Sequence, residues 1–374
     1  MDVTPNQQLR WSAEYPLARI NDMAWSPNGE LLAVAGMIHE SENAMYRSPT
    51  RLYAKDGAVV AELFSGSLRA SGKDGSVSDL EWSSDSNILA TAEGLNMSAS
   101  LFSPSIQKRV ELNDVAISVH AVRWSPDGRF FVLITGDRDL YLYDAEGKQI
   151  DVVGPAGSTV DSVCWHPDGT KLACADPFGV MLWGLVSNAI TDSSAKPFSL
   201  VPMVRISLPL GNDQWVNTLE WNRDGSRLAV GAFGTGDVWL IDQEGTPLAT
   251  LRGHTESIWR TLFSSTGILA TTSSDATTRL WDQDGKPLAV LVSATPEEDI
   301  LISVAAWSPN GELLAVASPD HFIRIYTSDA VPLANLRGHV GNIQAVSWHP
   351  YDQLLASADD KDLTCLWKIP IQPE

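Results

Sequence analysis

One five-residue turn, repeated along the chain, limits the possible folds more than any other feature. The form Trp-Ser-Pro-Asn/Asp-Gly occurs at Trp25–Gly29, Trp124–Gly128 and Trp307–Gly311. Variants begin at Trp165, Trp221 and Trp348, and two weaker copies begin at Trp82 and Phe263. The intervals between these eight anchors run 57, 42, 41, 56, 42, 44 and 41 residues, so the unit is close to 42 residues and insertions lengthen two of its copies. A period of this size marks an array of small units, none of which can bury its apolar face without a neighbour.

Each anchor sits in the same local pattern. A β-branched residue lies five positions before the aromatic in every copy: Ile20, Val77, Val119, Val160, Val216, Ile258, Ile302 and Ile343. A short apolar run follows the turn, as in Leu31–Ala35 and Leu354–Ala358. An alternating segment ending in an aromatic comes next, as in Thr278–Trp281 and Ile323–Tyr326, and a Gly-containing turn leads to a fourth short run such as Pro247–Leu251. Four short strands per period read as one blade of a β-propeller. No segment sustains the 3.6-residue apolar period of a helix. The expectation is an all-β chain: residues 1–374 form a single closed propeller, with blades starting near 20, 77, 119, 160, 216, 258, 302 and 343. Eight anchors count eight blades; seven would follow if the Trp82 or Phe263 copy were not a true blade. The last repeat ends in its third strand, Leu363–Lys368, so residues 7–12 at the N-terminus are expected to supply the fourth and remove an exposed edge.

The best-formed copy carries Gly253-His254, then Leu269–Asp275, then Leu280-Trp281-Asp282. In these residues the chain resembles the WD40-repeat family. The resemblance implies a hydrogen-bonded structural tetrad of His254, Thr271, Asp275 and Trp281. The last copy keeps Gly338-His339, Ser357 and Trp367, but Lys361 stands where the family has Asp, with Asp360 beside it. The other copies lack Gly-His, so the tetrad is expected intact in one blade only. The others would be held by packing and backbone ladders.

Composition narrows the partners. Lys and Arg number 26 against 46 Asp and Glu, a net charge of −20. Such a chain repels phosphate backbones and anionic headgroups, so the partners expected are proteins or peptides, with no direct nucleic-acid contact and no membrane. No leader-like segment and no apolar stretch of membrane-spanning length is evident. The three cysteines, Cys164, Cys174 and Cys365, lack the even count of a disulfide framework. A cytoplasmic location is the expectation.

Two sets of residues depart from the repeat. Insertions fall at Met37–Pro49, Ser65–Ser76, Leu185–Ser199 and Val292–Ile300. Long loops on a rigid scaffold often carry binding function, though surface drift explains any one of them equally well. The second set flanks the β-branched position, where the resemblance places side chains on the rim face around the central channel: Arg19, Asn21, His120, Asp161, Trp215, Asn217, Trp259, Asn342 and Gln344. Trp215 and Trp259 stand out in neighbouring repeats where other copies carry small polar groups. Tryptophan is enriched at binding hot spots, but local packing is an equal explanation.

Signals for chemistry are poor. His39, Glu40 and Glu42 could hold a metal, but a solvated loop is the simpler reading. Asp282–Gly285 resembles the start of a calcium loop, yet similar Asp/Gly turns recur at Asp56-Gly57, Asp144–Gly147 and Asp242–Gly245, which points to a turn requirement. No phosphate-binding loop, dinucleotide fingerprint or nucleophile elbow is present. The expectation is therefore a non-catalytic interaction scaffold without cofactor or metal, a monomeric propeller inside a hetero-complex. The alternatives are a structural subunit of a larger assembly or a propeller enzyme.

Overall fold

The structure is a computed structural model that describes residues 2–10, 19–40, 45–47, 49–64, 77–93, 98–105, 108–112, 118–136, 139–153, 163–176, 179–188, 196–292 and 304–369. All regular structure among these residues is strand, arranged as an eight-bladed β-propeller with four antiparallel strands to a blade. The blades begin with the inner strands Arg19–Trp25, Val77–Trp82, Val119–Trp124, Val163–Trp165, Trp215–Trp221, Ile258–Phe263, Ala305–Trp307 and Ile343–Trp348, numbered here blades 1 to 8. Val160 and Ile302, expected as the starts of blades 4 and 7, lie outside the described residues. Both weak anchors, Trp82 and Phe263, head genuine blades, so the count is eight.

The repeated turn explains itself chemically. In blade 1 the buried Ser26 hydroxyl donates to Asn28 Oδ1 at 2.7 Å and accepts from the Leu31 amide at 3.0 Å. Gly29 closes the turn through Ser26 O with φ of 74°, a left-handed conformation that costs a side chain energy. Ser125 with Asp127 and Ser308 with Asn310 repeat the arrangement. The Asp/Gly turns between third and fourth strands are also self-contained: Asp282 Oδ1 accepts from the amides of Asp284 and Lys286, and Asp242 Oδ1 from those of Glu244 and Thr246.

The chain divides into two compact units. The first unit holds blades 7, 8, 1 and 2, and the two ends of the chain meet within it. Residues Gln7–Arg10 pair antiparallel with Leu363–Lys368, with Gln7 opposite Leu366 and Arg10 opposite Leu363. The N-terminal segment thus completes blade 8. An element that the repeat pattern does not reveal precedes it: Asp2–Val3 adds in parallel to Pro332–Leu336, a fifth strand on blade 7. Apolar cores fill the spaces between blades, with Leu363, Trp367 and Ile325 between blades 7 and 8, and Ile20, Trp25 and Leu366 between 8 and 1.

The second unit holds blades 3 to 6. Val163, Trp165 and Leu142 pack between blades 3 and 4, Val216, Trp221 and Leu182 between 4 and 5, and Ile258, Leu240 and Trp281 between 5 and 6. The Leu185–Ser199 insertion is a lengthened hairpin, since strands Gly179–Ser187 and Phe198–Ser207 stay paired out to Ser187 and Phe198. Met37–Pro49 likewise extends a strand to Glu40 that pairs with Met45–Arg47. Glu42, residues 65–76 and residues 293–300 lie outside the described residues, and so do the side chains of His39 and Glu40.

Polar latches join neighbouring blades. The indole N–H groups of Trp82, Trp165 and Trp348 donate to the carbonyls of Ala24, Arg123 and Ala306 in the preceding blade, at 3.0–3.1 Å. Trp25 and Trp221 have no such bond among the described residues. These two instead meet, edge to face, the imidazoles of His349 and His166, at 4.9 and 4.8 Å between ring centres. A third kind of latch uses the side chain before the anchor: the Trp25 amide donates to Ser347 Oγ, and the Phe263 amide to the Glu220 carboxyl.

The tetrad of blade 6 forms as expected. Trp281 Nε1–H donates to Thr271 Oγ1 at 2.9 Å, Thr271 donates to His254 Nε2 at 2.8 Å, and His254 Nδ1–H donates to Asp275 Oδ2 at 2.8 Å, a tautomer assigned from the network. Blade 8 corrects the expectation of a single tetrad. Trp367, Ser357 and His339 form the same chain, and His339 Nδ1 reaches Asp359 Oδ2 at 3.1 Å. The acid is Asp359, two residues before Lys361, and both partners of the pair are fully buried. Asp359 also accepts from the amides of Lys361 and Leu363, replacing both Ser273 and Asp275 of blade 6.

Candidate protein-docking site

The rim residues singled out in the sequence fall into two groups by what their side chains touch. Asn217 Nδ2 donates to the carbonyl of Ile258 at 3.1 Å, and Asn21 Nδ2 to that of Val77 at 2.9 Å. Ser78 Oγ reaches Val119 O in the same way at 3.2 Å. Asn21 and Asn217 thus tie their blades to the next and have a structural task in addition to any contact they offer. Asn342 is exposed but bound through both its amide groups to Asp360, and Gln344 Nε2 donates to Asn342 O at 3.4 Å. His120 is exposed at the start of blade 3. Arg19 lies on the first strand of blade 1 with its side chain outside the described set, and Asp161 lies outside the described residues.

Trp215 and Trp259 are different. They sit in adjacent blades of the second unit and are joined by a residue that the repeat gives no reason to select, Phe233. Trp215 opens blade 5 opposite Phe233 on the neighbouring strand. The two rings stack at 4.1 Å with 18° between planes. Phe233 in turn meets Trp259 edge to face at 5.8 Å and 75°. Aromatic pairs in these geometries contribute about 0.5–1.5 kcal/mol each beyond area burial, so the three rings form an ordered ledge. Trp259 is anchored further by donating from Nε1 to Ser274 Oγ at 2.6 Å. Trp215 keeps 37% of its surface in water.

The backbone around the ledge is fixed by polar contacts. Gln214 accepts from the Gly211 amide through Oε1 and donates through Nε2 to Gly234 O, both at 2.8 Å. Ser257 Oγ accepts from the Gly234 amide at 2.9 Å, linking the turn before Trp259 to the strand that carries Phe233.

Three groups outside the three rings hold their protons well above the ordinary range. Burial pushes the Glu220 carboxyl up to about 8, against the opposing pull of the Phe263 amide and Arg260. Burial raises the Cys164 thiol strongly, with Glu220 adding to the rise, and pushes Cys365 up to about 12. These are protonated core thiols rather than nucleophiles. Among the described residues no group of His, Cys, Asp and Glu is arranged to hold a metal ion.

Five segments, 114–144, 147–183, 245–282, 285–327 and 330–368, match the family model described as WD domain, G-beta repeat, and together they span half of the chain. The chain belongs to the WD40-repeat family. This WD40 protein is 24% identical over 344 residues to Actin-interacting protein 1 of Drosophila melanogaster, covering 87% of this chain and 50% of that protein. It spans about half or less of the length of the curated relatives it matches first. The C-terminal WD40 domain of Sif2 superposes with a TM-score of 0.75 at 19% identity, covering 99% of both chains. Sqt1 from Chaetomium thermophilum, in a structure bound to the N-terminus of ribosomal protein L10, superposes with a TM-score of 0.75 at 14% identity, covering 96% of this chain and 100% of that one. At these identities the two structures speak for the WD40 propeller fold.

Proposed function

We propose that this chain is a non-catalytic, cytoplasmic scaffold that holds a protein or peptide partner, and that the partner docks on the Trp215–Phe233–Trp259 ledge. The observation that carries the reading is Trp215, stacked and ordered on one side yet more than a third exposed. Tryptophan is enriched at binding hot spots, because a rigid ring buries much area on docking with few rotors to fix. Propellers of this family generally act as interaction scaffolds, and the Sqt1 structure holds a segment of another protein. The polar rim residues Asn217, Asn21, Arg19, His120, Asp161, Asn342 and Gln344 would contribute peripheral contacts.

The test is a partner recovered from native extract and then titrated against wild type and Trp215→Ala with Trp259→Ala. A hot-spot tryptophan contributes at least ~2 kcal/mol, so affinity should fall at least roughly thirtyfold with the circular dichroism spectrum unchanged. Unchanged affinity would move the site to the Met37–Pro49 and Ser65–Ser76 loops. Loss of folding would make the two tryptophans core residues.

A further inference from the structure

The two turns that lead into the ledge each carry an acid. Asp213 lies exposed in the turn closed by the Gln214 amide on Gly211 O, two residues before Trp215. Glu256 lies exposed three residues before Trp259, in a turn pinned by Ser273 Oγ donating to the Glu256 carbonyl and by the Thr255 amide donating to Asp275. Both turns are held by bonds that do not involve these two carboxylates. Among the described residues neither Asp213 nor Glu256 has an ion-pair partner, although cations are near in sequence. Arg252 is directed to Asp237 at 3.7 Å, and Arg260 is engaged electrostatically by Glu220.

An exposed indole favours a particular kind of neighbour. The face of a tryptophan ring is the negative pole of its quadrupole and attracts a guanidinium or ammonium group within about 6 Å. Phe233 stacks on Trp215 and leaves more than a third of its surface open, so a planar guanidinium has a ring to lie on, with an acid in each of the turns that lead into the two tryptophan strands. The protein's net charge of −20 favours the approach of a cationic segment over long range. A purely apolar partner would leave Asp213 and Glu256 facing it without a counter-charge, at a desolvation cost.

We propose that the occupant of the ledge is a basic segment of a protein partner, with an Arg or Lys side chain stacked on Trp215 and its charge shared by Asp213 and Glu256. This rests on the docking site proposed above and adds the chemistry of what fills it.

A random twelve-residue phage-displayed peptide library tests it. The library is selected on the full-length protein and counter-selected on Trp215→Ala with Trp259→Ala, so that surviving clones depend on the ledge. The expected result is enrichment of peptides containing Arg or Lys. Their affinity should drop at least tenfold on Asp213→Asn with Glu256→Gln, a change that preserves side-chain shape and leaves the turns intact. A charge-matched control elsewhere, Glu146→Gln with Asp329→Asn, should change affinity less than twofold. Ledge-dependent peptides without basic residues, or equal losses in the ledge and control variants, would overturn the basic-segment proposal while leaving the docking site standing. If no clone depended on the ledge, both proposals would fall.

Discussion

The imidazole of His349 donates from Nε2 to the carbonyl of Gly29, 320 residues earlier in the sequence, at 2.9 Å. Its Nδ1 accepts from the amides of Tyr351 and Asp352, with hydrogen on Nε2 assigned from this network. His166 makes the same contact with Gly225 O at 3.0 Å. In both pairs the ring occupies the space that a Cβ on the glycine would need, with nearest approaches of 2.6 Å and 2.1 Å.

Gly29→Ala should therefore destabilise more than Gly169→Ala. Both positions have positive φ, which costs a side chain about 1–2 kcal/mol. Only Gly29 adds overpacking against a ring, a further 1–3 kcal/mol by order of magnitude, whereas a Cβ on Gly169 would meet nothing closer than 3.9 Å. Denaturant melts of Gly29→Ala with and without His349→Ala form the decisive cycle: the two changes should couple by more than about 0.5 kcal/mol. Simple additivity would mean that the ring yields freely.

The blade 8 tetrad predicts unequal costs for neighbouring acids and bases. Asp359→Ala strands the buried His339 and should cost on the order of 3 kcal/mol. Lys361→Ala, at the position the repeat would assign to the acid, should stay within about 0.5 kcal/mol because its side chain is exposed. In blade 6, Trp281→Phe leaves Thr271 short of a donor and should cost on the order of 1–3 kcal/mol, more than Trp239→Phe. Equal melts for either pair would contradict the networks described.

Removal of residues 1–10 should lower the melting temperature of the whole first unit. The deletion exposes the Leu363–Lys368 edge and takes away the Val3 carbonyl that accepts from the Arg337 amide. An unpaired edge invites association, so light scattering should rise together with the loss of stability. A truncated protein that melts unchanged and stays monodisperse would show that blade 8 does not need the added strand.

Two groups of carboxyls set opposite pH dependences. Burial raises Glu220 from an ordinary value of 4.5 to about 8, so the folded state holds a proton that the unfolded chain releases. Its contribution is fully present below about pH 4.5 and is lost as pH rises through 8. Burial pulls Asp275 and Asp359 upward as well, but the hydrogen bonds and attraction of His254 and His339, joined by Thr277 and nearby backbone amides, together outweigh it and hold Asp275 well below the usual range and Asp359 near 2. Their contribution is present above the ordinary carboxylate value and is lost as pH falls toward 2. Thermal melts from pH 2 to 9 should show both slopes, and Glu220→Gln should flatten only the one at higher pH. An unaltered slope there would assign it to other groups.

The sequence alone determined the order of the repeats, the turn that follows each blade's first strand, the blade 6 tetrad and the pairing of the N-terminal segment with the last blade. These are legible because each depends on contacts within one period, or on one strand missing from an otherwise regular count. Tertiary structure decided the rest. Blades 6 and 8 share the same turn, with left-handed Ala276 and Asp362 at matching positions, so a carboxylate two residues earlier can reach the same imidazole; spacing pointed to Lys361, and only side-chain direction selects Asp359. Asn21 and Asn217 resemble free rim groups until the next blade brings a carbonyl within reach. Phe233 has no distinguishing position in its repeat, and it becomes the centre of the ledge because strand pairing sets it against Trp215 while blade packing brings Trp259 to its edge. Periodicity reports what each blade must repeat, whereas contacts between blades depend on which side chains two different copies happen to bring together.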